Sequence, residues 1–374
     1  MIKREAETQI EKAMGLNKVL VLLGARRVGK TTLVKSLMEK RTNARYLNCE
    51  LLQNKEALET SNSESLYAFL GKYEYLFLDE AQSVRNIGQT LKIIHDSFPE
   101  IKLIATGSSA FRLKQASGEP LTGRSRVFYL PPLSFREIVN HNDLIKAKGQ
   151  LENILRFGLY PEVFNQSEDF AIEELENIAS NYLYKDILQF ENLKKPELLY
   201  DLLKALALQI GSEVSLNELS NKLKVHVNTI KRYIELLEQN YVIYRLNALS
   251  KNPRNEIGKS QKIYFYDCGI RNAVIRNFNA MSSRNDAGQL WENFFITERI
   301  KNNANSRNFV NTYFWRNYHQ KEIDYIEETN NTYLAFECKL NPKKKTKTPV
   351  GFTKNYENFS FHTINTENFW KQLI

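Results

Sequence analysis

Gly24-Ala25-Arg26-Arg27-Val28-Gly29-Lys30-Thr31 spells G-x-x-x-x-G-K-T, with Thr32 directly behind it. Glycines at both ends let a backbone curl until successive N–H groups point inward, a cradle for a chain of phosphates. Lys30 has the reach to meet β- and γ-phosphates, and the Thr31 hydroxyl is a ligand type that Mg²⁺ accepts. Gly24, Arg26, Arg27, Val28, Gly29, Lys30, Thr31 and Thr32 are therefore the expected cofactor contacts, and ATP with Mg²⁺ the expected cofactor. Such a loop needs a strand to launch it and a helix to receive it. Val19 to Leu23 is an apolar run of strand length, and residues 30–40 bring Leu33, Leu37 and Met38 near one helical face. The helix N-terminus adds a dipole that favours the anion.

A second apolar run, Tyr75-Leu76-Phe77-Leu78, ends in Asp79-Glu80. Asp79 is the expected second Mg²⁺ ligand, holding the ion through water. Glu80, one residue on, is placed to polarise a water against the γ-phosphate as general base. A third run, Ile101 to Ala105, ends in Thr106-Gly107-Ser108. Thr106 or Ser108 is the expected hydroxyl that orients the attacking water, since ligands of open α/β sheets sit at such strand ends. Gly123-Arg124-Ser125-Arg126 offers two arginines behind a flexible glycine. One of them could complete the site, within the chain or from a neighbouring copy, by stabilising transition-state charge. The chemistry expected is ATP hydrolysis.

GARRVGKTTL, YLFLDEAQ, LIATGSSA, LTGRSRVFYLPPLSF and GLYPEV together resemble a family of prokaryotic AAA-like P-loop ATPases. The resemblance covers nearly the whole chain and is most specific before residue 200. It implies Lys30 and Thr31 as nucleotide and Mg²⁺ contacts, Asp79 and Glu80 as the Walker-B pair, and Arg124 as the arginine of a Gly-Arg element. It also implies a C-terminal domain with a restriction-endonuclease-like core.

With 374 residues, the chain has room for two or three domains. A quarter of its residues are charged and aromatics are plentiful, which excludes a disordered chain. Met1 to Lys18 is charged and amphipathic, unlike a signal peptide, and the longest apolar run is too short to span a bilayer. Cys49, Cys268 and Cys338 are too widely spaced for a zinc site or a disulfide framework. A cytoplasmic protein with no membrane partner is expected. Its net charge of +9 admits a polyanionic partner such as DNA, although excess lysine also aids solubility. A homo-oligomer is compatible with the sequence.

Strands expected near 18–24, 44–49, 74–80, 101–106 and 127–131 alternate with helical stretches, the pattern of a parallel sheet. Three domains are expected: an α/β P-loop ATPase domain over 1–138, a helical and winged-helix middle over 139–250, and an endonuclease-like α/β domain over 251–374. Ser134 with Glu137, and Ser215 with Glu218, have capping-box spacing. Residues 212–250 read as a winged helix-turn-helix, with Tyr241 to Leu246 as the wing and Asn228, Thr229, Lys231 and Arg232 on the exposed side of the second helix. Such a unit docks either DNA or protein. Lys343-Lys344-Lys345-Thr346-Lys347 reads as a solvated loop.

The last third offers a second chemistry. Glu292 falls on a helix over 290–300, Asp324 on a strand, and Glu337-Cys338-Lys339 on the next strand, with Glu337 and Lys339 on one face. Asp324 and Glu337 are candidate ligands of one metal ion, with Lys339 beside them, an arrangement suited to phosphodiester hydrolysis. The same E-x-K spacing recurs at Glu100-Ile101-Lys102, where the reading is an ATPase strand.

Overall fold

The computed structural model describes residues 1–107, 121–182, 196–250 and 260–374. They fall into two compact units, Met1–Leu133 and Ser134–Ile374.

In the first unit, β1 (Val19–Leu23, VLVLL) is buried along its whole length, as an apolar strand covered on both faces must be. Around it lie β2 (Ala44–Asn48), β3 (Tyr75–Asp79), β4 (Lys102–Gly107) and β5 (Ser125–Tyr129), in the order β2-β3-β4-β1-β5. Every pairing is parallel. The five expected strands are all present, displaced by two residues at most. Parallel strands begin at one edge of the sheet and end at the other. The loops after β1, β3 and β4 therefore open on a common edge, with β4 between the strands that carry the P-loop and Asp79.

The connecting elements include α1 (Glu5–Ala13) and α2 (Lys30–Glu39), then α3 (Leu52–Leu58), α4 (Ser63–Leu70) and α5 (Ile87–Ser97). α2 starts directly from the P-loop, and Gly29 at its N-cap has φ 94°, a conformation open to glycine. Leu33, Val34 and Leu37 form its buried stripe.

The second unit begins with α6 (Phe135–His141), whose Ser134–Glu137 capping box is complete in both directions. α7 (Leu144–Gly149), α8 (Leu151–Phe157), α9 (Glu168–Asn177) and α10 (Pro196–Leu208) follow. β6 (Glu213–Val214) precedes a helix-turn-helix pair, α11 (Leu216–Leu223) and α12 (Val227–Gln239). Next come β7 (Ile243–Ala248), β8 (Gln261–Phe265), α13 (Cys268–Ile275) and the long α14 (Ala287–Ser306). The chain ends with β9 (Asn311–Arg316), β10 (Glu322–Thr329), β11 (Thr332–Cys338), α15 (Val350–Thr353) and β12 (Phe359–Ile364).

Seven strands form one sheet in the order β12-β11-β10-β9-β7-β8-β6. The strand expected as a wing is β7, paired antiparallel to β8 and parallel to β9, with Ile243 and Leu246 fully buried. The sheet thus draws strands from both stretches expected as a middle and a C-terminal domain.

β10 and β11 make a hairpin closed by Asn330-Asn331, both at positive φ (51° and 60°), which matches the two-residue turn compatible with strand twist. That turn fixes Tyr325 opposite Phe336, and so brings Asp324 opposite Glu337 one step further along. On one face, Trp315, Ile323, Ile326, Ala335, Phe352 and Tyr356 form an apolar cluster. Cys49, Cys268 and Cys338 are buried free thiols. Among the described residues, no helix is long and apolar enough to cross a membrane.

Candidate functional site

The P-loop leaves the end of β1 so tightly that Gly24 tolerates no side chain. A Cβ there would lie 2.3 Å from the Leu130 carbonyl oxygen. Arg27 and Gly29 both take positive φ and turn the chain back toward α2. Lys30 is buried, and its ammonium donates to the carbonyls of Gly24 (3.1 Å) and Ala25 (2.8 Å). It thus lies folded over the mouth of its own loop. Arg4 pins the loop from outside, donating to Val28 O and Pro131 O at 2.6 Å each. Sequence reading missed Arg4, because a lone arginine ahead of the first strand carries no motif.

Asp79 is the centre of the arrangement. It is almost fully buried at the end of β3. Thr31 Oγ1 and the Tyr46 hydroxyl each donate to its Oδ2 at 2.7 Å, and Thr106 Oγ1 donates to its Oδ1 at 2.5 Å. Thr106 also accepts the backbone N–H of Glu80 at 3.0 Å. Glu80 itself is half-buried in the left-handed region (φ 52°), and the Gln82 side-chain amide donates to its carboxylate. The structure therefore brings Lys30, Thr31, Asp79, Glu80 and Thr106 to one sheet edge. Burial, followed by the bond to Asp79, raises the Tyr46 phenol well above its ordinary range, so it stays a proton donor. Tyr46 is a second residue that sequence reading missed. Ser108 lies outside the described residues.

Oxygen ligands suit Mg²⁺, and the Thr31 hydroxyl beside the Asp79 carboxylate is a donor set of that kind. The glycine-lined turn, which a Cβ at Gly24 would fill, suits a phosphate chain.

Arg124 stands elsewhere. β5 runs parallel to β1, so the residue ahead of β5 lies where β1 begins, and Val19 N–H donates to Arg124 O at 2.8 Å. Five strand residues, roughly 16 Å, separate that end of β1 from the P-loop end. Its guanidinium instead holds Asp96 at 2.8 Å, and that bond lowers the Asp96 carboxyl to about 2. The expectation that Arg124 completes the site from within the chain is corrected on this ground.

In the second unit, Glu292 on α14, Glu322 and Asp324 on β10, Glu337 on β11 and Lys339 just beyond it converge with Lys262 on β8. Lys339 Nζ donates to Glu337 Oε1 at 2.7 Å, which places both on one side as expected. Asp324 Oδ2 accepts the Cys338 backbone N–H at 2.7 Å. Burial, then repulsion from Glu292, pushes the Asp324 carboxyl up to about 7. Burial, then repulsion from Asp324, pushes Glu337 up to about 7. Glu337 Oε2 is buried and accepts no hydrogen bond among the described residues. No group of three or more His, Cys, Asp or Glu among the described residues is disposed to hold a metal ion.

Sequence reading did not foresee Lys262. It is buried, lies 3.3 Å from Glu292 Oε1, and donates to Glu322 Oε1. Tyr264 donates to the same Glu292 oxygen at 2.6 Å. On the helix-turn-helix, Asn228, Lys231 and Arg232 are exposed and Thr229 is half-buried, while Ile230, Tyr233, Ile234 and Leu237 face inward.

Comparison with known proteins gives three matched regions. Residues 16–139 match a family described as an AAA domain. Residues 148–281 and 287–368 match two domains of unknown function, DUF8612 and DUF4143. An uncharacterised protein of Mycobacterium tuberculosis is 24% identical over 350 residues, covering 93% of this chain and 75% of that one. An uncharacterised protein of Haemophilus influenzae is 25% identical over 281 residues, 69% of each chain. Among solved structures, a Walker-type ATPase of Pyrococcus abyssi superposes with a TM-score of 0.51 at 17% identity, covering 74% of this chain and 96% of that one. At that identity the likeness bears on the fold alone. Residues 16–139 thus match an AAA domain, and the two regions after it match families of unknown function.

Proposed function

We propose that this protein binds ATP with Mg²⁺ and hydrolyses it. The observation that carries the reading is the hydrogen-bonded set Thr31–Asp79–Thr106–Glu80, assembled at the mouth of a glycine-lined loop. Lys30 exchanges the Gly24 and Ala25 carbonyls for the β- and γ-phosphates. Thr31 and Asp79 supply oxygens to Mg²⁺, which would neutralise phosphate charge when bound. Glu80, held by Gln82, takes the proton of the attacking water. Binding of a fluorescent ATP analogue tests the first step. Lys30→Ala should abolish it, and undiminished affinity would remove Lys30 from the site.

A role for Arg124 falls to contact with a second copy of the chain, since its own P-loop lies at the opposite strand end. In that case Arg124→Ala lowers turnover per chain only at concentrations where copies associate. A loss that is independent of concentration contradicts it.

Nucleic acid is the partner we favour. The supporting observations are the exposed Asn228, Lys231 and Arg232 on α12 and the net charge of +9. Binding to short DNA duplexes should weaken steeply with salt and with paired Lys231→Ala and Arg232→Ala substitutions. No binding at low salt favours the alternative, a signalling or scaffold ATPase whose distal region docks protein.

The paired Glu337 and Lys339 facing Asp324 favour a second reading, phosphodiester hydrolysis by the C-terminal cluster. A divalent cation bound there would activate water, with Asp324 and Glu337 as its protein ligands and Lys339 steadying developing charge. Mg²⁺- or Mn²⁺-dependent DNA cleavage that disappears in Asp324→Ala is the expected result. Cleavage that survives Asp324→Ala points away from this cluster.

A further inference from the structure

Four carboxyls, Glu292, Glu322, Asp324 and Glu337, converge with two ammonium groups, Lys262 and Lys339. The two lysines differ in kind. Lys339 is about a third exposed at the end of β11 and bonds one carboxylate. Lys262 is only 3% exposed and lies among three, near Glu292 Oε1, bonded to Glu322 Oε1 and electrostatically coupled to Asp324. The Phe314 ring closes its other side, 5.5 Å from Nζ to the centroid. Carboxylate oxygens on one side and an aromatic ring face on the other both favour the charged amine. The ammonium is therefore a fixed charge.

A buried ammonium among carboxylates stands where a metal-ion cluster would need its cation. Taking either partner away leaves uncompensated buried charge, which is costly. The oxygens fit a hard divalent cation in type, but Glu292 and Glu322 already share an internal one.

We propose that Lys262 is the resident cation of this cluster and competes with divalent metal for the Glu292, Glu322 and Asp324 oxygens. This rests on the reading of the cluster as a cation site and is independent of whether it cuts DNA. The site then takes a divalent ion weakly until Lys262 is drawn away, for instance by a phosphate group that offers the ammonium another partner.

The test is Mn²⁺ binding to the full chain without nucleotide, followed by paramagnetic resonance of free Mn²⁺ and by the melting temperature with and without the ion. Wild-type protein should bind Mn²⁺ weakly at this cluster, with no rise in melting temperature. Lys262→Met should bind roughly tenfold tighter or better. Lys262→Arg, which keeps the charge, should not. The gain must vanish when Asp324→Asn is added to Lys262→Met. Tight Mn²⁺ binding to wild-type protein that is lost in Asp324→Asn would overturn the proposal, and this measurement stands even if Lys262→Met does not fold. A folded Lys262→Met protein with wild-type Mn²⁺ affinity would overturn it too. Metal gained without DNA cleavage would sink only the nuclease reading.

Discussion

Thr106 donates to Asp79 Oδ1 at 2.5 Å while its oxygen accepts the Glu80 backbone N–H at 3.0 Å. One buried hydroxyl thus ties the carboxylate proposed to hold Mg²⁺ to the residue proposed to act on water. β4 lies between β1 and β3, and that strand order is what delivers Thr106 to this spot. Thr106→Val keeps the shape and removes both bonds. A hydrogen bond to a charged group is worth about 1.5–3 kcal/mol, so turnover should fall about ten- to a hundredfold. ATP affinity should hold, because no phosphate contact is lost. Steady-state kinetics alongside equilibrium binding separates the two, and unchanged turnover would reduce Thr106 to a structural residue.

Tyr46 and Thr31 share Asp79 Oδ2, each at 2.7 Å. If Mg²⁺ is held by Thr31 and Asp79 as proposed, Tyr46 would keep the carboxylate from rotating. Tyr46→Phe should therefore raise the Mg²⁺ concentration needed for half-maximal turnover, by about tenfold for one charge-assisted bond. Nucleotide affinity measured in EDTA should not change. An identical Mg²⁺ dependence in both proteins would show that Tyr46 does not orient Asp79.

The P-loop unit was legible in the sequence because its motifs are local. GARRVGKT is a contiguous loop, and the apolar runs before it and before Asp79-Glu80 could be buried only as central strands. Residues that act across the fold were silent. Arg4 reaches Val28 and Pro131 from outside any motif, and Tyr46 gives no sign that its hydroxyl returns to a carboxylate thirty-three residues on. Whether Arg124 serves its own site or a neighbour's was not legible, because the sequence supplies the arginine but not the end of the sheet from which β5 starts. The partners of β7 were silent for a related reason. Apolar alternation marks a strand, while its neighbours β8 and β9 are fixed only by tertiary pairing. In the C-terminal cluster, Glu292, Asp324, Glu337 and Lys339 were legible from spacing. Lys262 was not, because a lysine on a strand ordinarily faces water.

The cluster also sets a pH dependence. Asp324 and Glu337 are each raised to about 7 in the folded chain, first by burial, against ordinary values near 4 in the unfolded one. Between those values the folded state holds more protons than the unfolded state, so stability falls as pH rises. Their contribution is complete below about pH 4, is lost as pH climbs through about 7, and changes little above that. Melting temperatures in metal-free buffer should decline across this window, and Asp324→Asn should flatten the decline. A wild-type profile that rises from pH 5 to 7, and does so equally in Asp324→Asn, would contradict the assigned burial.

ATP hydrolysis with Glu80 as base is the central claim, and single-turnover hydrolysis of Mg²⁺-ATP by wild-type and Glu80→Gln protein tests it most directly. Glu80→Gln leaves Lys30, Thr31, Asp79 and Thr106 in place and removes only the proton acceptor. ATP should bind with wild-type affinity and persist, with the chemical step slowed about a hundredfold or more. Hydrolysis by Glu80→Gln at the wild-type rate would contradict the account.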